Sequence, residues 1–173
     1  MKLHASTFAP RPASTAPRRR RKTWREKLAD DKGLPKVIKI HGSAAARWGG
    51  RTVAIPAPRE IDALMRRVPR GCITTINELR AAVARHHHAA VGCPLTTGIF
   101  SWIAAQAAAE AAAAGEAGIT PYWRTLKAKG ELNPKYPGGI PALIARLEAE
   151  GHRVVQKGRR YFVADCEKVT ARL

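Results

Sequence analysis

Residues Thr120 to Gly139 form the segment that dictates most about how this chain can fold. It reads T-P-Y-W-R-T-L-K-A-K-G-E-L-N-P-K-Y-P-G-G, so that two large aromatic residues follow a proline, basic residues come next, and a Pro-Gly-Gly turn ends the segment. Proline and paired glycines interrupt regular helices and strands. We therefore predict an irregular segment and interpret the elements on either side as its scaffold.

The chain carries a large excess of positive charge. Its 173 residues include 31 Lys and Arg against 13 Asp and Glu, which gives a formal net charge of +18. Seven of the basic residues and none of the acidic ones lie in residues 1–22, yet the remainder of the chain is basic in its own right. Such an excess predicts a polyanionic partner, most simply nucleic acid and less simply an acidic membrane surface.

The cysteines and the apolar runs exclude several classes of protein. Cys72, Cys93 and Cys166 are far apart and odd in number, which is not the pattern of a disulfide framework or a zinc site. A reducing cytoplasm is the natural setting for them. The longest apolar run, Ile99 to Ala114, has 16 residues and includes polar side chains, so no membrane span is predicted. The N-terminus also lacks the apolar core of a signal peptide.

The sequence divides into three parts. Residues 1–22 are rich in Pro, Ala, Ser and Arg and predict a disordered basic arm, which either lies on phosphates or only aids solubility. Residues 23–57 predict a small lead-in, with a helix capped by Thr23 and two short strands at Val37–Ile40 and Thr52–Ile55. Residues 58–173 predict the main domain, which is mostly helical.

Helix signals follow one another through the first half of this domain. Pro58 occupies the favoured first position of a helix, and Thr75 can cap a second helix over Ile76–Arg85. A turn over Val91–Gly98 then leads into an alanine-rich helix that continues to Ala114. A helix, a turn that contains glycine and a longer helix are the outline of a helix-turn-helix.

A β-hairpin is predicted near the C-terminus. After a helix over Ile140–Glu150, two short strands flank a Lys157-Gly158 turn, and Arg159 and Arg160 follow it. A basic hairpin after a helix-turn-helix has the form of a wing that contacts the DNA backbone, although an ordinary surface hairpin would have the same pattern. The predicted fold class is therefore mostly α, of the α+β type, with a winged helix-turn-helix.

Three consecutive histidines, His86 to His88, follow the predicted second helix. Consecutive side chains point in different directions on any regular element, so we predict no shared metal ion. The histidines are better interpreted as a polar turn that gains positive charge below about pH 6.5. No cofactor is predicted.

Three motifs in order carry a resemblance to a known family. Val68 to Leu79 reads V-P-R-G-C-I-T-T-I-N-E-L and resembles the V-P-x-G-x-V-T-T-Y-x-E-L that opens the DNA-binding domain of 6-O-alkylguanine-DNA alkyltransferases. The later P-Y-W-R-T-L-K-A-K-G-E-L, Y-P-G-G and E-G-H-R resemble that family's P-C-H-R-V-I-x-x-x-G-x-L, G-G and E-G-H-R. The interval of ten residues between Gly139 and Glu150 also matches the family, and the resemblance covers about Pro58 to Gly158.

The resemblance implies a winged helix-turn-helix that flips an alkylated guanine into a pocket, where a cysteine accepts the alkyl group. The positions of the family's cysteine, histidine and glutamate hold Tyr122, Trp123 and Ile144 here, so the usual transfer is not expected. The family's tyrosine after T-T is Ile76, and its intercalating arginine has no evident counterpart. The chain thus resembles the alkyltransferase-like branch, which lacks the cysteine, binds alkylated DNA and flags lesions for excision repair.

This resemblance predicts a non-catalytic DNA-binding protein in the cytoplasm, associated with the nucleoid. Its partners would be double-stranded DNA, alkylated in the functional complex, and a repair protein. Two alternatives stay open: a methyltransferase that uses a relocated cysteine such as Cys93, at a predicted helix N-terminus, and a sequence-tolerant DNA-binding regulator.

Two groups of side chains are candidates for contact with DNA. The first would line what remains of the family's base pocket: Pro121, Tyr122, Trp123 and Arg124. Alternatively, the rings of Tyr122 and Trp123 fill that pocket and belong to the hydrophobic core. The second group would contact DNA, and its basic members would contact the phosphates together with Arg124: Thr75, Thr96, Thr97, Lys127, Lys129, Lys157, Arg159 and Arg160.

Overall fold

A computed structural model describes residues 20–173, so most of the predicted basic arm lies outside the described residues. These residues form a mixed α+β fold of six α-helices and three small sheets. The helices are α1 Trp24–Ala29, α2 Gly42–Trp48, α3 Pro58–Arg66, α4 Ile76–His86, α5 Pro94–Ala113 and α6 Gly139–Glu148. The strands are β1 Lys36–Lys39, β2 Thr52–Ile55, β3 Thr74–Thr75, β4 Val91–Gly92, β5 Thr125–Leu126, β6 Val154–Lys157 and β7 Arg160–Val163. Within the same residues, none of the helices has the length and apolar character needed to span a membrane.

The lead-in is built into the body of the fold. Thr23 caps helix α1, as predicted, and the cap is reciprocal: the Thr23 hydroxyl accepts from the Glu26 amide at 3.1 Å, and the Glu26 carboxylate accepts from the Thr23 amide at 2.7 Å. Trp24 packs edge-to-face on Trp102 of α5, with ring centroids 4.6 Å apart. Strand β2 pairs antiparallel with β1 and parallel with β4, so one sheet joins the lead-in to the segment between α4 and α5.

Helix α5 is the central element of the core. Alanines fill most of its middle turns, and their small side chains let α1, α3 and α4 pack closely around it. The helix begins at Pro94 rather than at Ile99, so the predicted turn over Val91–Gly98 is wrong beyond Cys93. Proline is favoured at the first position of a helix. The Thr97 hydroxyl then donates to the Cys93 carbonyl at 2.8 Å, which ties down this first turn.

The segment 120–139 is irregular, as predicted, with one short strand and a glycine turn before α6. Its short strand β5 pairs parallel with β3, with Thr125 opposite Thr74. At the other end Gly138 takes a positive φ of 76° just before α6. A Cβ atom on Gly138 would lie only 2.5 Å from the Cβ of Ala142, so the turn requires glycine there for two reasons.

The hairpin forms as predicted, with a shift in its turn. Strands β6 and β7 pair antiparallel, and Lys157 lies opposite Arg160. The turn is therefore Gly158-Arg159 and not Lys157-Gly158. Gly158 has a φ of 60°, the left-handed conformation that a tight two-residue hairpin turn favours at its first position.

Candidate nucleic-acid interface

The aromatic pair at Tyr122 and Trp123 is packed rather than open. The Tyr122 ring is 4% exposed and makes edge-to-face contacts with Trp123 and Tyr136, at centroid distances of 5.5 and 5.9 Å. The Arg146 guanidinium lies 4.4 Å from the centroid of the Trp123 ring. Pro121 is buried as well. Tyr122 therefore belongs to the core and does not line an open base pocket, which corrects the first of the two interpretations of this pair.

Glu150 accepts hydrogen bonds from the side chains of Trp123 and Arg124. The Arg124 guanidinium donates to both carboxylate oxygens of Glu150 at 2.8 Å, and the Trp123 indole N–H donates to one of them at 2.8 Å. Arg124 also donates to the Val68 carbonyl at 2.7 Å. The side chains of Arg124 and Glu150 are only 14% and 8% exposed, so the predicted role of Arg124 in contacting phosphates does not fit the structure.

The same contacts set the protonation state of Glu150. Burial by itself would raise the pKa of this carboxyl. The hydrogen bonds from Arg124 and Trp123 outweigh burial and hold the pKa of Glu150 below its ordinary value of 4.5. At neutral pH the pair is thus a buried ion pair, and it fixes the E-G-H-R segment against the P-Y-W-R segment.

An open groove lies next to the segment 120–139, between the start of α4, the first turns of α5 and the loop 133–135. Its volume is about 520 Å³, within the range of about 300–1,000 Å³ that is typical of small-ligand sites. We call it the α4–α5 groove, and its principal lining residues are Ile76, Leu95, Ile99, Trp102, Lys127 and Lys135.

The groove combines an apolar floor with basic side chains. Leu95 and Ile99 are 67% and 43% exposed, which is unusual for large apolar side chains on a central helix. The Trp102 indole N–H donates to the Lys135 carbonyl at 3.1 Å and so holds the loop against α5. Lys127 lines the groove beside this loop. A flat, apolar ligand attached to an anion matches this arrangement.

Sequence reasoning missed the groove, although it named Ile76 and Lys127. The available signal was the pair Leu95 and Ile99, one helical turn apart in a stretch whose glycine and proline indicate a turn. Because α5 begins at Pro94, these two side chains lie on the same face of the helix. The loop of residues 133–135 lies at the edge of that face.

Two of the three predicted threonine contacts are not available at the surface. Thr97 is fully buried and its hydroxyl donates to the Cys93 carbonyl, which corrects its assignment as a DNA contact. The Thr96 hydroxyl oxygen is buried without a hydrogen-bond partner within residues 20–173. Thr75 caps α4, where its hydroxyl accepts from the Glu78 amide at 3.3 Å, so it lies directly before the groove residue Ile76.

Apart from Arg124, the predicted basic contacts are all exposed. Lys127 and Arg160 both pair with Glu131, which neutralises part of their charge, yet they remain 46% and 67% exposed. Lys129 and Lys157 line one surface cavity. Arg159 is exposed in the hairpin turn. The structure thus brings the basic side chains of the segment 120–139 and of the hairpin onto neighbouring surfaces.

The relocated acceptor proposed at Cys93 is buried. This residue is 5% exposed at the start of α5, and its backbone amide donates to the Ala54 carbonyl at 2.8 Å. A thiol that accepts an alkyl group from DNA must be accessible to the base. The packing around Cys93 therefore speaks against this alternative.

Comparison with known proteins gives two structural neighbours. No family model and no curated protein matches the sequence. The structure is similar to S. pombe Atl1 in complex with damaged DNA containing O6-carboxymethylguanine, with 14% sequence identity and a TM-score of 0.48 over 67% of this chain and 94% of that chain. It is also similar to S. pombe ATL in complex with DNA, with the same identity and coverage and a TM-score of 0.44.

Proposed function

We propose that this chain is a non-catalytic DNA-binding protein of the alkyltransferase-like type, which recognises 6-O-alkylguanine in duplex DNA. The observation that carries the proposal is the α4–α5 groove, an open apolar site bordered by lysines in a strongly basic protein. A displaced base that stacks on an aromatic side chain gains about 1–3 kcal/mol. Trp102 is an aromatic side chain of the groove, and Leu95 and Ile99 add apolar surface beside it. We further propose that the protein acts in the cytoplasm on nucleoid DNA and presents the lesion to a repair-protein partner.

In this proposal the secondary structure takes the roles of a winged helix-turn-helix. Helix α5 would contact the DNA groove through its exposed first turns, and the β6–β7 hairpin would act as the wing. The phosphates would be contacted by six side chains: Lys127, Lys129, Lys135, Lys157, Arg159 and Arg160. Their exposure and their position around the groove and the hairpin support this assignment.

We expect that a cysteine at the acceptor position does not restore alkyl transfer. The Tyr122→Cys protein would place a thiol in the buried aromatic cluster, with the Trp123 indole beside it in place of a histidine base. Without a base, a thiol near its ordinary pKa of about 8.5 is mostly protonated at pH 7. Incubation with DNA that carries a labelled 6-O-methyl group should leave the protein unlabelled, and stoichiometric labelling of the introduced thiol would contradict this account.

Removal of the apolar side chains from the groove should abolish lesion preference. In the double variant Leu95→Ser and Ile99→Ser, the base loses its apolar contacts while the net charge stays the same. The preference for alkylated over unmodified duplex, about 5- to 150-fold for 1–3 kcal/mol, should fall close to one. Gel shifts with the two duplexes measure this ratio.

The matched control changes two apolar side chains of similar exposure elsewhere. Val37→Ser and Ile38→Ser act on strand β1, where the side chains are 46% and 36% exposed. This control should keep the wild-type preference. A preference that survives in the groove variant would exclude the groove as the site that receives the base.

A sequence-tolerant DNA-binding regulator is the second candidate. Within the described residues, no arginine lines the groove to fill the gap that a flipped base leaves, and Tyr122 is closed to a base. Both observations favour binding of undamaged duplex. Equal affinities of the wild-type protein for the two duplexes would select this candidate.

A further inference from the structure

A cluster of metal-ligating side chains lies where α3 begins and α4 ends, and it shares no lining residue with the α4–α5 groove. Glu60 stands in the first turn of α3, His86 is the last residue of α4, and His87 is the C-cap. One carboxylate oxygen and one ring nitrogen from each histidine all lie within 4.8 Å of one another. Three donors from two separate helices thus converge on one point.

We propose that Glu60, His86 and His87 bind one Zn²⁺ ion with a fourth position open to solvent. Zinc takes imidazole nitrogen and carboxylate oxygen at about 2.0–2.2 Å, and a tetrahedral site then separates its donors by about 3.3 Å. The Glu60 carboxylate and the His87 Nε2 are 2.8 Å apart, so a small opening of this contact admits the ion. The His86 side chain is exposed to solvent beside this contact.

The backbone explains how adjacent histidines can share an ion here. The expectation that they diverge holds for a regular element, but α4 ends between them. His87 has φ −98° and ψ 11°, outside helical geometry, and the two rings lie edge-to-face with centroids 4.8 Å apart. His88 takes a positive φ of 49° and leaves the cluster. His86 and His87 are therefore candidate ligands, and His88 is not.

Two further features favour a cation at this point. The second carboxylate oxygen of Glu60 accepts from the Ala57 amide at 3.4 Å, which orients the first oxygen toward His87. The C-terminus of α4 also carries the negative end of the helix dipole, which stabilises positive charge close to it.

The open position would face a cavity of about 480 Å³ that Glu60 and His86 line together with Arg67 and Arg85. The two guanidinium groups oppose a bare cation. They would favour an anionic fourth ligand, such as hydroxide or a phosphate oxygen, because it lowers the charge of the site.

The test is a metal titration of the untagged, full-length protein after removal of bound metal by a chelator. We expect one equivalent of Co²⁺ to bind and to give visible d–d bands without the near-ultraviolet charge-transfer band of a thiolate ligand, and Zn²⁺ to displace it. Calorimetry should show Zn²⁺ affinity weakened at least about tenfold in both His86→Ala and His87→Ala. His88→Ala is the matched control and should keep the wild-type affinity.

The proposal would be overturned by a failure to bind one equivalent, by a thiolate band in the cobalt spectrum, or by an affinity that His86→Ala and His87→Ala leave unchanged. An equal loss in His88→Ala would also overturn it, since that side chain lies outside the cluster. Circular dichroism of each variant separates loss of a ligand from loss of the fold. The outcome is independent of the DNA-binding proposal, because no DNA is present.

Discussion

We expect the affinity of this protein for duplex DNA to fall about 10³-fold when the salt concentration is raised from 50 to 200 mM. Each neutralised phosphate releases counterions and contributes about −0.9 to the slope of log K against log salt. The six basic side chains proposed to contact phosphates thus give a slope of about −5. Arg124 is not counted, because Glu150 and the Val68 carbonyl occupy its guanidinium in the interior. Fluorescence anisotropy with a labelled duplex across a salt series measures the slope.

Substitutions in the hairpin should lower this slope by a defined amount. Lys157→Ala with Arg159→Ala removes two exposed cations, so the slope should become shallower by about 1.8. Lys36→Ala with Lys39→Ala removes two exposed cations from β1, in a different sheet, and should change the slope little. The hairpin is not a wing if its variant and the β1 variant have the same slope.

The second large effect is on stability. We expect Glu150→Ala to lower the free energy of unfolding by about 3–5 kcal/mol, the range found when one partner of a buried ion pair is removed. The substitution leaves the Arg124 guanidinium buried and unpaired, and it also removes the acceptor of the Trp123 indole N–H. Urea unfolding at pH 7, followed by circular dichroism, measures the change.

Two controls test this prediction: a substitution at a nearby exposed glutamate and a measurement of stability against pH. Glu148 is exposed at the end of α6, and Glu148→Ala should change stability by no more than about 0.5 kcal/mol. The folded-state pKa of Glu150 is lowered, so its stabilisation is complete above pH 4.5 and is lost as the pH falls through the folded-state value. The difference between the wild type and Glu150→Gln should therefore shrink on acidification below pH 4.5. A difference that stays constant with pH would mean that the carboxylate charge contributes nothing.

The elements with strong local signals were predictable from the sequence. Pro58 at the first position of α3 and the Thr75 cap of α4 depend on residues a few positions apart, and the structure confirms both. The hairpin was also predictable, although its turn is displaced by one residue. Local capping and turn chemistry are determined by neighbours in the chain, and for that reason short patterns reveal them.

The parts that were missed depend on contacts between distant residues. Helix α2 was not predicted, since its alanines carry no apolar stripe and none of its residues is buried. The pattern Tyr122-Trp123 indicates two large aromatic rings but not whether they face a cavity, and here Tyr136 and Arg146 enclose them. The ion pair between Arg124 and Glu150 joins residues 26 positions apart, so a short sequence pattern could not predict it.

The position of the first residue of α5 decides where a base is proposed to bind. With α5 starting at Ile99, Leu95 would lie in a turn; with α5 starting at Pro94, Leu95 and Ile99 share a face. The site proposed to receive a base thereby moves from the closed aromatic pair to an open surface one element away. The segment 120–139 still contributes to that surface through Lys127 and the loop at Lys135.

The most direct test of lesion recognition is the ratio of two dissociation constants. The wild-type protein is titrated at one fixed salt concentration into the same duplex with and without a single 6-O-methylguanine. We predict that the alkylated duplex binds about 5- to 150-fold more tightly, as a base contact of 1–3 kcal/mol requires, and that the methyl group stays on the DNA. A ratio of one, or transfer of the methyl group to the protein, would contradict the account.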